Sequence, residues 1–164
     1  MRIYLVRHGP AGQHGSTPGP DRERPLTRKG VRRTQAAFAG LRRSGVRLDS
    51  IFSSPYRRAR ETAELLVREL RFEGEVVESP ALVPDAPPGK VLEALRSGPE
   101  GGRVALVGHE PHLSHCLALL VGGNAGALEM GKAGVASVLV AEWKRNPPGA
   151  LRWLATARIL RRLS

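Results

Sequence analysis

The chain has 164 residues, of which 26 are Lys or Arg and 15 are Asp or Glu, giving a formal net charge of +11 with 41% hydrophobic residues. That length suits one domain, long enough to bury roughly two-thirds of its unfolded surface, so a single unit over residues 1–164 is expected. No apolar run approaches the ~20 residues that cross a bilayer, no charged leader precedes the first strand, and the lone Cys116 excludes an intrachain disulfide.

A cytoplasmic monomer without membrane attachment is therefore expected. The positive balance suits an acidic partner or nucleic acid. Yet pairs such as Arg32-Arg33, Arg42-Arg43, Arg57-Arg58 and Arg161-Arg162 are dispersed, and aromatic residues make up only 4% of the chain. No nucleic-acid module is recognisable, so no nucleic-acid partner is expected.

In chain order, Ile3-Tyr4-Leu5-Val6 reads as a buried strand over residues 2–7 that runs into Arg7-His8-Gly9. Open α/β sheets bind ligands at the carboxyl ends of their strands, so chemistry is expected there. Arg7 offers a planar fork of donors suited to phosphate, and His8 a nucleophilic nitrogen that titrates near neutrality. Gly9 offers a backbone able to bend tightly beneath an anion. Residues 10–25, rich in Gly and Pro, form a loop over the strand's end, and a helix is predicted near 28–44.

A second strand near 48–53 ends in Ser54-Pro55, and a helix near 57–71 opens at Arg57-Arg58. Backbone amides at that helix start favour an anion. A strand near 75–78, a loop Pro84 to Gly89 and a helix near 89–97 follow. The strand 103–108 ends in Gly108-His109-Glu110-Pro111, with Pro111 suited to the first turn of a helix near 111–121. Strands near 135–142 and 151–156 complete the chain as a hairpin through Asn146-Pro147-Pro148-Gly149. The alternation predicts an α/β fold: a mostly parallel central sheet with an antiparallel edge strand, covered by helices on both faces as a three-layer αβα sandwich. Three strand ends then bring Arg7 and His8, Arg58, and His109 to one edge. Two imidazoles and two guanidiniums there make a pocket for a dianion with a nucleophile inside it.

Other patterns have blander readings. Gly126 to Gly131-Lys132 matches most of a nucleotide-binding P-loop, but Ala133 stands where a hydroxyl would hold magnesium, and the segment precedes a strand instead of following one. It reads as a loop from which Lys132 approaches an anionic substrate. His109, His112 and His115 are spaced by three, but without an accompanying carboxylate set no metal and no cofactor is expected. His112 and His115 read as helix-surface residues or as neighbours supporting the site. Cys116 lacks the arginine of a cysteine phosphatase, because Gly122 occupies that place, and reads as a small buried residue.

Arg7-His8-Gly9, Arg24-Pro25-Leu26-Thr27 followed by Gly30, Ser54-Pro55 with Arg58-Ala59 and Thr62-Ala63-Glu64, and Gly108-His109 with Pro111 resemble, in order and spacing, the histidine phosphatase superfamily. That superfamily also holds the phosphoglycerate mutases, and the resemblance spans roughly residues 1–140. The short length, the stretch Val83-Pro84-Asp85-Ala86-Pro87-Pro88 and the late Ala136-Ser137-Val138 strand look most like the SixA-type phosphohistidine phosphatases. The resemblance implies a phosphoglycerate mutase-like fold. It makes His8 the phosphoryl acceptor and Arg7, Gly9, Arg58 and His109 the phosphate pocket. One departure is Arg33, where family members often carry glutamine.

The implied reaction is attack of one His8 nitrogen on phosphorus, followed by hydrolysis of the phosphohistidine. Arg7, Arg58 and His109 stabilise the transition state, and His109, if protonated, adds a further donor and positive charge. An alkoxide leaving group needs an acid, for which Asp85 is the first candidate and Glu110 the second. A phosphorylated imidazole instead leaves as a neutral ring. The expected partner is thus a phosphorylated protein, with a small phosphorylated substrate as the alternative. A non-enzymatic phosphate- or nucleic-acid-binding module is the reading from another class.

Overall fold

In a computed structural model of the chain, residues 1–13, 15, 19–97, 101–143 and 148–163 are described. Six strands, β1 (Arg2–Arg7), β2 (Ser50–Ser53), β3 (Val76–Glu78), β4 (Arg103–Gly108), β5 (Val135–Val140) and β6 (Gly149–Ala155), form one sheet in the order β3-β2-β4-β1-β5-β6. β1, β4, β2 and β3 pair in parallel, whereas β5 runs antiparallel to β1 and β6 antiparallel to β5. The helices are α1 (Arg28–Arg43), α2 (Arg57–Leu70), α3 (Pro88–Ser97), α4 (His112–Val121) and α5 (Ala157–Arg161). The sequence did not signal α5, whose five residues fall below the length at which periodicity is readable. Thr156 caps it by accepting from the Ile159 amide. The expected Asn146–Gly149 connection lies largely outside the described residues.

Strand periodicity sorts the core into two layers. Tyr4 and Val6 of β1 face one side with Phe38, Leu41 and Leu66 of α1 and α2, while Ile3 and Leu5 face the other with Leu113 and Leu117 of α4. Both faces of β1 are thus sealed, which is why the strand carries no charged residue between Arg2 and Arg7. α1 and α2 follow β1 and β2 onto one face, whereas α4 follows β4 onto the other. The adjacent carboxyl ends of β1 and β4 therefore flank a crevice at which the helices diverge, the place where open α/β sheets accommodate ligands.

Glycine at two positions lets α1 pack against the first loop. A Cβ on Gly30 would stand 2.0 Å from the Pro10 carbonyl oxygen, and one on Gly9 would stand 2.3 Å from Thr34 Oγ1. Gly9 has no left-handed backbone. Close approach of a helix, and not the tight bend the sequence suggested, is what excludes a side chain there.

Candidate active site

Register alone places the two histidines side by side. Arg7 of β1 lies opposite Gly108 of β4, so the next residue of each strand is His8 and His109. The His8 amide donates to the Gly108 carbonyl at 3.0 Å, and the two imidazole centroids are 5.1 Å apart. His8 Nδ1 lies 2.7 Å from the Gly9 carbonyl oxygen. A carbonyl only accepts, so Nδ1 carries the proton and Nε2 keeps its lone pair. His109 Nε2 meets Ser54 Oγ at 2.8 Å, at the end of β2, and its ring packs edge-on to Tyr56 with centroids 5.1 Å apart.

The guanidiniums are fixed by main chain and by one carboxylate. Arg7 donates from Nη1 to the Met130 carbonyl at 2.6 Å. Arg58, in the first turn of α2 and only 4% exposed, donates from Nη1 to the Asp21 carbonyl at 2.8 Å. Its Nη2 lies 3.0 Å from Asp21 Oδ2, and its guanidinium sits 4.9 Å from the centre of the Tyr56 ring. Asp21 stands on a 3-10 turn (Asp21–Glu23) and also receives Arg24, with Nη2 2.8 Å from Oδ1, while Arg24 Nη1 donates to the Gly12 carbonyl. The Gly9 amide donates to Thr62 Oγ1 at 3.0 Å, and that hydroxyl donates to the Arg58 carbonyl at 2.6 Å. Glu61 accepts from the Leu26 amide at 2.7 Å and from Arg57 Nε at 2.9 Å. The loop after β1 is thereby tied to the first turns of α2.

Burial governs the electrostatics. It is the largest cause pushing His8 down from 6.5 to about 3; Arg58, Arg7 and Lys132 push the same way, and the Gly9 carbonyl opposes them. His109 is pushed down to about 2 by burial, then by His8, Arg58, His112 and Arg24. Both rings are neutral at pH 7. His109 thus lacks the positive charge it would add if protonated, because burial, with Arg58 and Arg24 nearby, disfavours the cation. Burial would raise the Asp21 carboxyl, but Arg24 and Arg58 outweigh it and hold it below its ordinary value. The Glu110 carboxyl is raised, chiefly by burial, while its bond from Ser114 Oγ at 2.6 Å and nearby Arg7 oppose the shift.

Arg7, His8, Arg58 and His109, named from the sequence, thus stand at adjoining strand ends. Asp85 is exposed and lines a cavity with Ser79, Pro87 and Lys90 to which none of those four side chains contributes. Glu110 is half-buried, with Oε1 buried and without a partner among the described residues. Lys132, on the loop before β5, bears on His8 electrostatically, and Arg33 is exposed on α1. His112 is not a surface residue: it is 2% exposed beside Cys116, with its Nε2 3.8 Å from Sγ, in the apolar layer under α4. His115 is exposed. Among the described residues no group of three or more His, Cys, Asp or Glu is placed to hold a metal ion.

Local pattern gives no sign that Asp21 and Tyr56 belong to this network, and Arg24, Ser54 and Thr62 stand out in the sequence only as members of motifs. Their partners are distant in the chain, 37 residues for Arg58 and Asp21 and 55 for His109 and Ser54, and local pattern carries no signal of such pairs. The one available cue was that Asp21 is the first acid of a loop facing a cationic site.

Comparison with known proteins agrees with this architecture. A family model described as the histidine phosphatase superfamily (branch 1) matches residues 3–83. An uncharacterized protein of Picosynechococcus sp. (strain ATCC 27264 / PCC 7002 / PR-6) is 34% identical over 140 residues, covering 82% of this chain and 82% of that protein. The structure of the protein histidine phosphatase SixA complexed with tungstate superposes with a TM-score of 0.83 at 26% identity, over 96% of this chain and 98% of the other. A mycobacterial glucosyl-3-phosphoglycerate phosphatase in complex with inorganic phosphate shares the fold, with a TM-score of 0.72 at 22% identity over 96% and 99%. With the sequence match extending along most of a relative and the fold along nearly the whole chain, the chain belongs to the histidine phosphatase superfamily.

Proposed function

We propose that this chain is a phosphatase that carries the phosphoryl group on His8 and that its preferred substrate is phosphohistidine on a protein. The observation that carries the reading is the pairing of His8 Nδ1 with the Gly9 carbonyl at 2.7 Å in a ring that is neutral at pH 7. That bond fixes the tautomer, so Nε2 offers an unprotonated lone pair without an auxiliary base. In the first step the Nε2–P bond forms while the bond from phosphorus to the substrate's imidazole nitrogen breaks. In the second, water attacks phosphorus, inorganic phosphate departs and His8 is restored.

Arg7, Arg58 and neutral His109 are the donors for the three equatorial oxygens. Ser54 Oγ accepts from the Tyr56 amide and can donate to His109 Nε2, the tautomer that leaves the proton on Nδ1; Arg7 Nε, Arg58 Nε and His109 Nδ1 are each buried with no partner among the described residues. Unpaired buried donors are costly, at about 1–3 kcal/mol each, and a bound dianion among these side chains is the natural compensation. The guanidiniums supply the positive field, so the reaction as written uses no metal. The preference for phosphohistidine rests on the leaving group. A phosphorylated imidazole protonated on its other nitrogen leaves as a neutral ring, and exposed Asp85 offers little as a proton donor. The fold similarity to a protein histidine phosphatase points the same way.

A second reading, hydrolysis of a small phosphomonoester, is favoured by Glu110. Its half-buried carboxyl next to His109 is held above the ordinary carboxylate range, as a proton donor to an alkoxide requires. Steady-state assays on a phosphohistidine protein and on a panel of sugar, nucleotide and cofactor-precursor phosphates test the choice. A higher kcat/KM on phosphohistidine is expected. Brisk turnover of a phosphomonoester with little on phosphohistidine would transfer the assignment to the second reading.

A further inference from the structure

Far from the histidines, at the amino end of β1, an apolar groove of about 460 Å³ opens between α1, β6 and α5. Tyr4, Val46, Trp153, Leu154, Ile159 and Leu163 line it. Leu154, Ile159 and Leu163 are 37%, 51% and 48% exposed, an uncommon concentration of solvent-facing aliphatic side chains. Beside the groove runs α1, whose outer face carries Arg28, Lys29, Arg32, Arg33, Arg42 and Arg43 and no acidic residue. None of the six has an ion-pair partner among the described residues, whereas Arg57, Arg60 and Arg68 of α2 pair with Glu61, Glu78 and Glu64. Arg2 lines the groove, which begins at Ser44-Gly45-Val46 just past Arg42 and Arg43 in the last turn of α1, while Arg28, Lys29, Arg32 and Arg33 continue the charge along the helix away from it; an apolar trough that leads into a line of unpaired cations specifies a ligand with the opposite pattern.

We infer that this face docks an acidic amphipathic segment of a partner protein, its apolar side chains in the groove and its carboxylates on the α1 arginines. The inference rests on the reading of a protein substrate and extends it. α1 joins the two sites: Gly30 and Thr34 abut the loop bearing Pro10 and Gly9 next to His8, and Gly40 abuts the Leu160 carbonyl of α5 at the groove. A helix of 16 residues spans about 24 Å, so a partner seated on the arginine face reaches from the groove to the mouth of the histidine pocket. A second copy of this chain is a poor occupant, because each copy carries +11 and would bring like charge to like. Helix-in-groove recognition supplies affinity through apolar anchors, and the charges set orientation and association rate.

The test uses the whole chain and a fluorescent helix-forming peptide of about five turns, with leucines at helical i, i+3, i+4, i+7 spacing and glutamates elsewhere, beside the same composition scrambled. Fluorescence anisotropy is expected to give binding at least about tenfold tighter for the amphipathic order. Ile159→Glu with Leu163→Glu, both at exposed positions, is expected to weaken it by about tenfold or more, and Arg32→Glu with Arg33→Glu to do the same and to flatten the salt dependence. Equal affinity for the two peptides, or binding indifferent to Ile159 and Leu163, overturns the proposal. So does tighter binding of phosphatidylserine vesicles or single-stranded RNA through the same residues. On a phosphohistidine protein the groove variants are expected to raise KM and leave kcat and small-ester turnover unchanged. Absence of any turnover on phosphoprotein would defeat the functional reading, while the peptide titration would still decide the docking face.

Discussion

Acid should unfold this protein through its two site imidazoles. Each has an ordinary value of 6.5, lowered in the folded chain to about 3 for His8 and about 2 for His109. A base whose folded value is depressed binds more protons when unfolded, so its contribution is whole above the unfolded value and is lost as pH falls below 6.5 toward the folded value. At about pH 5 both folded values are still well below ambient, so the loss is set by the unfolded value alone, at about 2 kcal/mol per ring and about 4 kcal/mol for the pair. For a domain of this size that lowers Tm by roughly 8–16 °C between about pH 7.5 and pH 5.

His112, also lowered by burial, acts in the same direction, while the raised Glu110 acts oppositely as pH falls toward its unfolded value. Thermal and denaturant melts across this range provide the assay, with His8→Ala expected to recover about half of the effect. A flat stability profile from pH 7.5 to 5, or a His8→Ala, His109→Ala double variant with undiminished acid sensitivity, would refute the assignment of neutral buried rings.

Other outcomes follow from the same geometry. Gly9→Ala should cost about 1–3 kcal/mol by driving a methyl against Thr34 Oγ1, and Thr34→Ala in that background should recover much of it in a double-mutant cycle of denaturant melts. Asp21→Asn should free Arg58 and Arg24 from their shared carboxylate and lower kcat/KM by about tenfold or more through misplacement of the pocket, with steady-state kinetics as the readout and unchanged kinetics as the contrary result. Glu110→Gln should leave phosphohistidine hydrolysis within about threefold and depress any phosphomonoester hydrolysis by about a hundredfold; equal effects on both would remove Glu110 from leaving-group protonation.

The strand ends were readable because physics acts locally there. An aliphatic run sealed on both faces, then Arg7-His8-Gly9, announces a parallel strand arriving at a crevice. Register does the rest, since opposing Arg7 to Gly108 leaves His8 and His109 no position but adjacent. What local pattern did not carry was the protonation state of His109, set by burial among residues from four segments, and the role of Asp21, 37 residues from the guanidinium it holds. Gly9 and Gly30 were legible as glycines with a purpose. Their purpose is clearance for α1, which only the packed helix reveals. The Gly126–Lys132 segment shows the converse: its spacing imitates a phosphate loop, yet it leads through a short 3-10 turn at Ala125–Ala127 toward β5 and opens no helix.

The most direct test of the account is rapid-quench peptide mapping of the protein mixed with a phosphohistidine substrate. A transient, acid-labile phosphoryl adduct is expected on the peptide bearing His8 and is expected to be absent from His8→Ala, which should also lose turnover while keeping its fold. Brisk phosphate release with that peptide unlabelled, or label on His109 in its place, would contradict it.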